Sequence, residues 1–139
     1  MDLNKMLNLT GMVALVTGGG NGIGCGSARI LAEAGADVVI GDVNLADAEE
    51  VAEDIRNMGR RALALKCDVT KDMDLMNLVE RTIVDFGKLN ILVNNVGVGG
   101  GGRENPFRVT VDYFEHIFKV NVFSSWRLCQ LVVPYMKQA

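Results

Sequence analysis

The chain has 139 residues, of which 49% are hydrophobic and 22% charged, and its net charge is −3 at pH 7. This length and composition predict one globular domain, spanning 1–139, that can bury a core. The acidic balance and the lack of a long basic run argue against nucleic acid or an anionic membrane surface as a partner, and favour a small molecule.

The cysteines and the apolar runs indicate the compartment. Cys25, Cys67 and Cys129 are widely spaced and no histidine cluster accompanies them, so the pattern supports neither a disulfide framework nor a metal site. The residues before Val13 form no sustained apolar run, and no stretch of the sequence is long enough to cross a bilayer. We therefore expect a cytoplasmic protein that binds no metal and no membrane.

Strands and helices are predicted to alternate after a lead-in at 1–11. Near-continuous apolar runs predict four strands, at 12–17, 36–41, 61–67 and 89–95. Amphipathic patterns and caps predict four helices, at 21–34, 45–58, 71–86 and from 110 to the chain end. This alternation predicts the α/β class: a Rossmann-type doubly wound parallel sheet of order 3-2-1-4, ending after the fourth strand and the long helix.

Several local features of these elements are also predicted. Gly35 and Gly87 end helices, Thr70 is a plausible N-cap of the third helix, and Met58 belongs to the buried face of the second. The last helix is apolar on almost every face, so it is expected to be buried on more than one side, and Pro134 is expected to kink or loosen its last turn. The loop 97–102 is too rich in glycine to hold one shape without a ligand or neighbour.

The first strand leads without a break into a glycine-rich turn at 17–24. Gly18, Gly22 and Gly24 leave the backbone free of side chains where a pyrophosphate must lie. The helix that begins near Asn21 directs its unpaired amides and its positive dipole end at that anion. The order of strand, turn and helix predicts one half of a dinucleotide site, and an ordinary tight turn is the alternative.

Polar residues follow the next three strands. Asp42 follows the second strand, where an acidic side chain can accept hydrogen bonds from both hydroxyls of an adenosine ribose. Its charge would repel a 2′-phosphate and no arginine stands nearby in the sequence, so Asp42 predicts NAD in preference to NADP; a solvated aspartate is the alternative. Asp68 and Asn95 follow the third and fourth strands, and all three strand ends open onto one crevice.

The spacing Thr17-Gly18-x-x-x-Gly22-x-Gly24, with the residues at the strand ends, resembles the short-chain dehydrogenase/reductase family over the whole chain. The resemblance implies that one set of residues binds NAD: Gly18, Asn21, Gly22, Ile23, Gly24, Asp42, Val43, Asp68, Val69, Asn95, Val96 and Gly97. Val96 departs from the family pattern, which has alanine in the Asn-Asn-Ala-Gly element. The resemblance also implies that Gly99 contacts substrate, and that Asn121 supports the catalytic lysine and the proton relay through a backbone–water link.

The resemblance implies an NAD-dependent oxidoreductase that acts on a secondary alcohol or ketone, and a homo-oligomer, a tetramer, that assembles through the helix at 110–138. Three runs are most similar to NAD-dependent hydroxysteroid dehydrogenases of bacteria, which implies a hydroxysteroid substrate: 91–97, 105–107 and 121–134. The alternatives are a family enzyme that acts on 3-oxoacyl or sugar substrates, and a non-catalytic NAD-binding module.

The proton donor of the family is not in the sequence. Family enzymes carry a serine on a fifth strand and a Tyr-x-x-x-Lys helix, whereas neither Tyr113 nor Tyr135 has lysine four residues later. A hydride-transfer site needs a proton donor of suitable pKa beside the carbonyl oxygen. We therefore expect the chain to be the N-terminal part of such an enzyme, inactive by itself.

Other candidate residues have plainer interpretations. His116 is the only histidine and has no nucleophile or carboxylate at triad spacing, so a surface or interface residue is expected. Cys25 is expected to be a small buried side chain rather than a reactive thiol at the helix start. Phe118, Phe123 and Trp126 are expected to form packing or subunit contacts.

Overall fold

The computed structural model describes residues 6–99 and 105–139, in which strands and helices alternate. The strands are β1 Val13–Thr17, β2 Asp37–Asp42, β3 Ala62–Lys66 and β4 Ile91–Val93. The helices are α1 Gly22–Glu33, α2 Leu45–Asn57, α3 Asp72–Phe86, α4 Val111–Phe118 and α5 Ser124–Met136, and a π-helical turn, Lys119–Phe123, joins α4 to α5.

All the paired strands run parallel, in the order β3-β2-β1-β4, which confirms the predicted fold class and strand order. β1 lies between β2 and β4, with Thr17 opposite Gly41 and Val16 opposite Val93. This register brings the carboxyl ends of the strands to one edge of the sheet. The prediction that the strand ends meet there is therefore confirmed.

The sheet has a hydrophobic core on each face because successive side chains of a strand point to opposite sides. Leu15 and Val39 belong to the core beneath α3 and α5, and Val16 and Ile40 belong to the core beneath α1 and α2. All residues of β1 are buried, which agrees with its unbroken apolar run. The result is three layers, with helices on both faces of the sheet.

Two details of the predicted helices are wrong. Thr70 does not cap α3: the N-cap is Lys71, and the Thr70 hydroxyl donates instead to Oδ1 of Asp68, at 2.7 Å. Met58 is 41% exposed because it lies at the C-cap, past the last turn of α2, while Ala52 is buried on the inner face. Gly35 and Gly87 take positive φ angles at helix ends, as predicted.

The long C-terminal helix is buried on one face. Its buried residues recur every four positions: Val120, Ser124, Leu128 and Val132. The expected burial on a second side is not present among the described residues, where Phe123 is 60% and Trp126 68% exposed. α5 continues through Pro134 to Met136, and the π-helical turn lies upstream of it.

Parts of two predicted segments lie outside the described residues. They are residues 100–102 of the glycine-rich loop and residues 1–5 of the lead-in. Among the helices of 6–99 and 105–139, none has both the length and the apolar character that a membrane span requires.

Shortening a side chain on the face of α5 that packs against the sheet should destabilise the chain. Leu128 is 1% exposed and belongs to the core, whereas Val133 on the same helix is 40% exposed. We expect Leu128→Ala to lower the free energy of unfolding by about 2–5 kcal/mol, and Val133→Ala to change it by less than about 0.5 kcal/mol. Urea unfolding monitored by circular dichroism measures both; equal losses would contradict this packing.

Candidate dinucleotide site

The turn after β1 is open toward solvent at the start of α1. Gly18 and Gly22 have φ angles of +64° and +54°, a region in which a Cβ is strained. A Cβ on Gly22 would meet nothing within 4 Å, and the N-cap residue, Asn21, makes no capping hydrogen bond through its side chain. The first amides of α1 are thus left without a side-chain cap beside open space, which fits an anion at the helix start.

Gly24 lies on the inner side of this turn. A Cβ there would lie 2.1 Å from the carbonyl oxygen of Gly18 and 2.5 Å from Nδ2 of Asn95. Asn95 Nδ2 donates to that same Gly18 oxygen at 3.1 Å. Glycine at position 24 is therefore what allows α1, the turn and the segment after β4 to pack directly against one another.

Thr17 joins the ends of β1 and β4. Its hydroxyl oxygen accepts the backbone N–H of Asn95 at 3.1 Å, and the hydroxyl donates to the carbonyl oxygen of Val93 at 3.4 Å. Thr17 is 2% exposed, so these partners satisfy a polar group inside the core. The sequence did not predict this bridging role for Thr17. The feature that could have indicated it is a hydroxyl at the end of an otherwise apolar strand.

Asp42 is held by two backbone donors. Its Oδ2 accepts the N–H of Gly20 at 2.9 Å and its Oδ1 accepts the N–H of Asn44 at 3.0 Å. The side chain is 7% exposed. Because a carboxylate offers about four acceptor positions, these contacts orient Asp42 and leave it able to accept further hydrogen bonds from a ligand.

Asp68 is the second carboxylate of the site. Its Oδ1 accepts both the hydroxyl and the backbone N–H of Thr70, at 2.7 and 3.0 Å. The Thr70 hydroxyl is the largest cause that holds the pKa of Asp68 below its ordinary value, and the positive charges of Lys71 and Lys119 act in the same direction. Asp68 is therefore ionised at neutral pH.

A cleft of about 430 Å³ opens at the carboxyl ends of the strands. It is lined by Gly18, Asn21, Asp42, Val43, Cys67, Asp68, Val69, Thr70, Asn95, Val96, Gly97, Val98, His116 and Val120. Nine of these residues are among those the sequence analysis assigned to the cofactor, and Gly22, Ile23 and Gly24 form the turn and helix start that adjoin it. Cys67, Thr70, Val98, His116 and Val120 are lining residues that the sequence analysis did not assign to the site.

Asn121 and Gly99 line a second cavity of about 740 Å³, which shares Val98 with this cleft. The Asn121 side chain pairs with the backbone of Val98 in both directions: Oδ1 accepts the N–H at 2.8 Å and Nδ2 donates to the carbonyl oxygen at 2.7 Å. Asn121 belongs to the π-helical turn, a feature often found at functional sites. The pairing fixes the segment after β4 against the long helix.

The thiol of Cys67 at the base of the cleft is not a nucleophile at neutral pH. Burial raises the pKa of Cys67 to about 12, and the nearby carboxylates of Asp74, Asp68 and Asp42 add to this effect. Cys25 at the start of α1 is buried, as predicted, and Cys129 is exposed. Cys67 therefore contributes a small neutral surface to the cleft.

The comparisons with known proteins agree with this geometry. The family model described as short chain dehydrogenase matches residues 12–139. The chain belongs to this family. The 7α-hydroxysteroid dehydrogenase of Escherichia coli K12 is 41% identical over 132 residues, which cover 95% of the chain and 51% of that relative. The 2-dehydro-3-deoxy-D-gluconate 5-dehydrogenase of Dickeya dadantii is 37% identical over 139 residues, 99% of the chain and 53% of that relative.

Solved structures of the family superpose closely on this short-chain dehydrogenase chain. A 7α-hydroxysteroid dehydrogenase complexed with NADH and 7-oxo glycochenodeoxycholic acid matches 99% of the chain and 52% of its own length, with TM-score 0.92 and 39% identity. A 3-ketoacyl-(acyl-carrier-protein) reductase from Brucella melitensis complexed with NADH matches 94% and 52%, with TM-score 0.87 and 40% identity. The chain spans about half the length of the relatives it matches.

Two glycines of α1 provide a matched test of the packing at the turn. Gly24→Ala would place a Cβ 2.1 Å from the Gly18 oxygen, whereas a Cβ on Gly26 would meet nothing within 4 Å. We expect Gly24→Ala to lower the free energy of unfolding by about 1–3 kcal/mol because of overpacking. Gly26→Ala should raise it by up to about 1 kcal/mol because alanine favours the helix. Urea titration of both variants measures these changes. An unchanged free energy of unfolding in Gly24→Ala would contradict the close contact between position 24 and the Gly18 oxygen.

Proposed function

We propose that the chain is the NAD-binding part of an oxidoreductase that acts on a secondary alcohol or ketone, specifically the 7α-hydroxyl of a hydroxysteroid. The observation that carries the proposal is the cleft at the carboxyl ends of the strands, which joins the glycine turn to Asp42, Asp68 and Asn95. NAD supplies the hydride acceptor when it is bound. The three free cysteines fit a reducing compartment, and we propose the cytoplasm.

Each part of the cleft suits one part of the dinucleotide. The proposed pyrophosphate residues are those of the turn and helix start: Gly18, Asn21, Gly22, Ile23 and Gly24. Asp42 and Val43 are proposed for the adenosine ribose, and Asp68 and Val69 for the adenine. The segment Asn95 to Gly97 is proposed to border the rest of the cofactor, and the Asn95 contacts with Thr17 and Gly18 hold that segment in place.

The substrate end is proposed to begin at Gly99, beside the segment that Asn121 fixes. The two hydrogen bonds between Asn121 and Val98 support a positioning role for Asn121. The E. coli relative and the solved structure with a 7-oxo bile acid support the steroid class. The sugar-acid dehydrogenase and the 3-ketoacyl reductase among the matches support the alternative substrates, sugars and 3-oxoacyl compounds.

The first functional prediction concerns the choice of cofactor. Asp42 presents a buried, oriented carboxylate to the cleft, so NAD should bind more tightly than NADP. Asp42→Ala should narrow the difference, because it removes both the hydrogen bonds to the ribose and the repulsion of the 2′-phosphate, each about 1–3 kcal/mol. Calorimetric titration with both cofactors measures this, with Glu50→Ala on the exposed face of α2 as the charge-matched control. Equal affinities in the unmodified chain would contradict the assignment.

The second functional prediction concerns turnover. The 139-residue chain should form no measurable NADH from 7α-hydroxy bile acids, because loss of a general acid alone costs about 10²–10⁴ in rate. Joining the chain to the remaining half of a family enzyme, with its Ser and Tyr-x-x-x-Lys, should restore activity. Absorbance of NADH across hydroxysteroids, sugars and 3-hydroxyacyl compounds tests both statements. Activity on non-steroids alone would favour the alternative substrates, and NAD binding without any turnover in the joined protein would favour a non-catalytic module.

The third prediction concerns assembly, for which we propose a homo-oligomer, a tetramer in the whole protein, formed through the helix at 110–138. A groove of about 600 Å³ beside this helix is lined by Leu75, Phe114, Phe118 and Phe123, and Trp126 is 68% exposed. Exposed apolar surface of this kind marks an interaction site. Trp126→Asp should shift the chain toward monomer in light scattering, while the exposed Val84→Asp on α3 should not. A monomeric parent chain at tens of micromolar would count against the proposal.

A further inference from the structure

His116 lies at the rim of the cleft. It is on the last part of α4, one turn before Val120, and both residues line the cleft. Glu115 and Lys119, which are close to it in sequence, line the groove toward α3. The sequence predicts that His116 is a surface or interface residue, and the tertiary structure brings it to the proposed cofactor site.

The charge of the cleft is unfavourable to an anion. Among the described residues that line it, the charged side chains are Asp42 and Asp68, and none is lysine or arginine. Two lysines interact with one of these carboxylates: Lys71 Nζ lies 3.8 Å from Asp68 Oδ2, and Lys119 acts on Asp68 through its charge. Cys67 is neutral. His116 is therefore the one side chain, among the described residues of the lining, whose residue type can carry a positive charge.

We propose that His116 is a cofactor-binding residue whose protonated imidazole attracts the anionic dinucleotide, so that NAD binds more tightly as the pH falls. The inference rests on the proposed NAD site. Two carboxylates orient the hydroxyls and the base of the ligand, and each adds repulsion toward its phosphates. The imidazolium beside the cleft offsets part of this repulsion. Because His116 is exposed, the effect is that of a solvent-screened charge, about two- to fivefold in affinity.

The single histidine makes the proposal measurable at one site. The imidazole C2–H resonance of the chain belongs to His116 alone, so its titration midpoint can be followed by NMR with and without saturating NAD. Binding and protonation are reciprocal, so a two- to fivefold tighter complex requires an upward shift of that midpoint by about 0.3–0.7 pH units. An unchanged midpoint in the presence of bound NAD would overturn the inference.

Calorimetry of NAD binding at pH 5.5 and 8.5 provides the second measurement. The unmodified chain should lose two- to fivefold in affinity between these values, and His116→Gln should lose the pH dependence and bind at the weaker level throughout. His116→Lys, which keeps its charge, should bind tightly at both values, while Glu115→Gln should behave as the parent. Persistence of the pH dependence in His116→Gln would overturn the inference alone, whereas no binding of NAD at either pH would overturn the proposed function and the inference with it.

Discussion

The close approach of backbone at the carboxyl end of β1 is the constraint on which the rest of the site depends. Only glycine at position 24 leaves room for the Gly18 oxygen and the Asn95 side chain, which are bonded to one another. The Thr17 hydroxyl ties the same segment to the end of β1. The turn and the start of α1 are thereby locked to the segment after β4, which is remote from them in sequence, so both face one cleft. A single methyl group at this contact is expected to disturb all of them.

The second feature that the cleft depends on is the charge of the two carboxylates that line it. Asp42 and Asp68 are both held by backbone donors, so their orientation costs no further ordering when a ligand arrives. The same charges oppose the phosphates of a dinucleotide, and the uncapped start of α1 provides a favourable partial charge. The proposed preference for NAD over NADP rests on this arrangement. His116 lines the same cleft.

The long helix links the fold to the proposed assembly. One face of it packs on the sheet through residues four positions apart, and the π-helical turn places Asn121 against Val98. The aromatic side chains of the other faces remain exposed in the chain by itself. The apolar sequence of the helix predicts burial on several sides, whereas the chain by itself buries only one. The exposed aromatic surface is suited to contacts with other parts of the protein or with other subunits.

The sequence alone determined the fold class, the strand order and most of the cleft, because glycine spacing, apolar runs and residues at strand ends are local features that follow from backbone chemistry. It did not determine which side chains meet across the sheet. Thr70 has the chemistry of an N-cap, yet the carboxylate of Asp68 competes for its hydroxyl. His116 has no nucleophile or carboxylate at triad spacing in the sequence, and only the tertiary structure brings it to the cleft. Such contacts depend on distances between residues remote in the chain, which periodicity and composition do not encode.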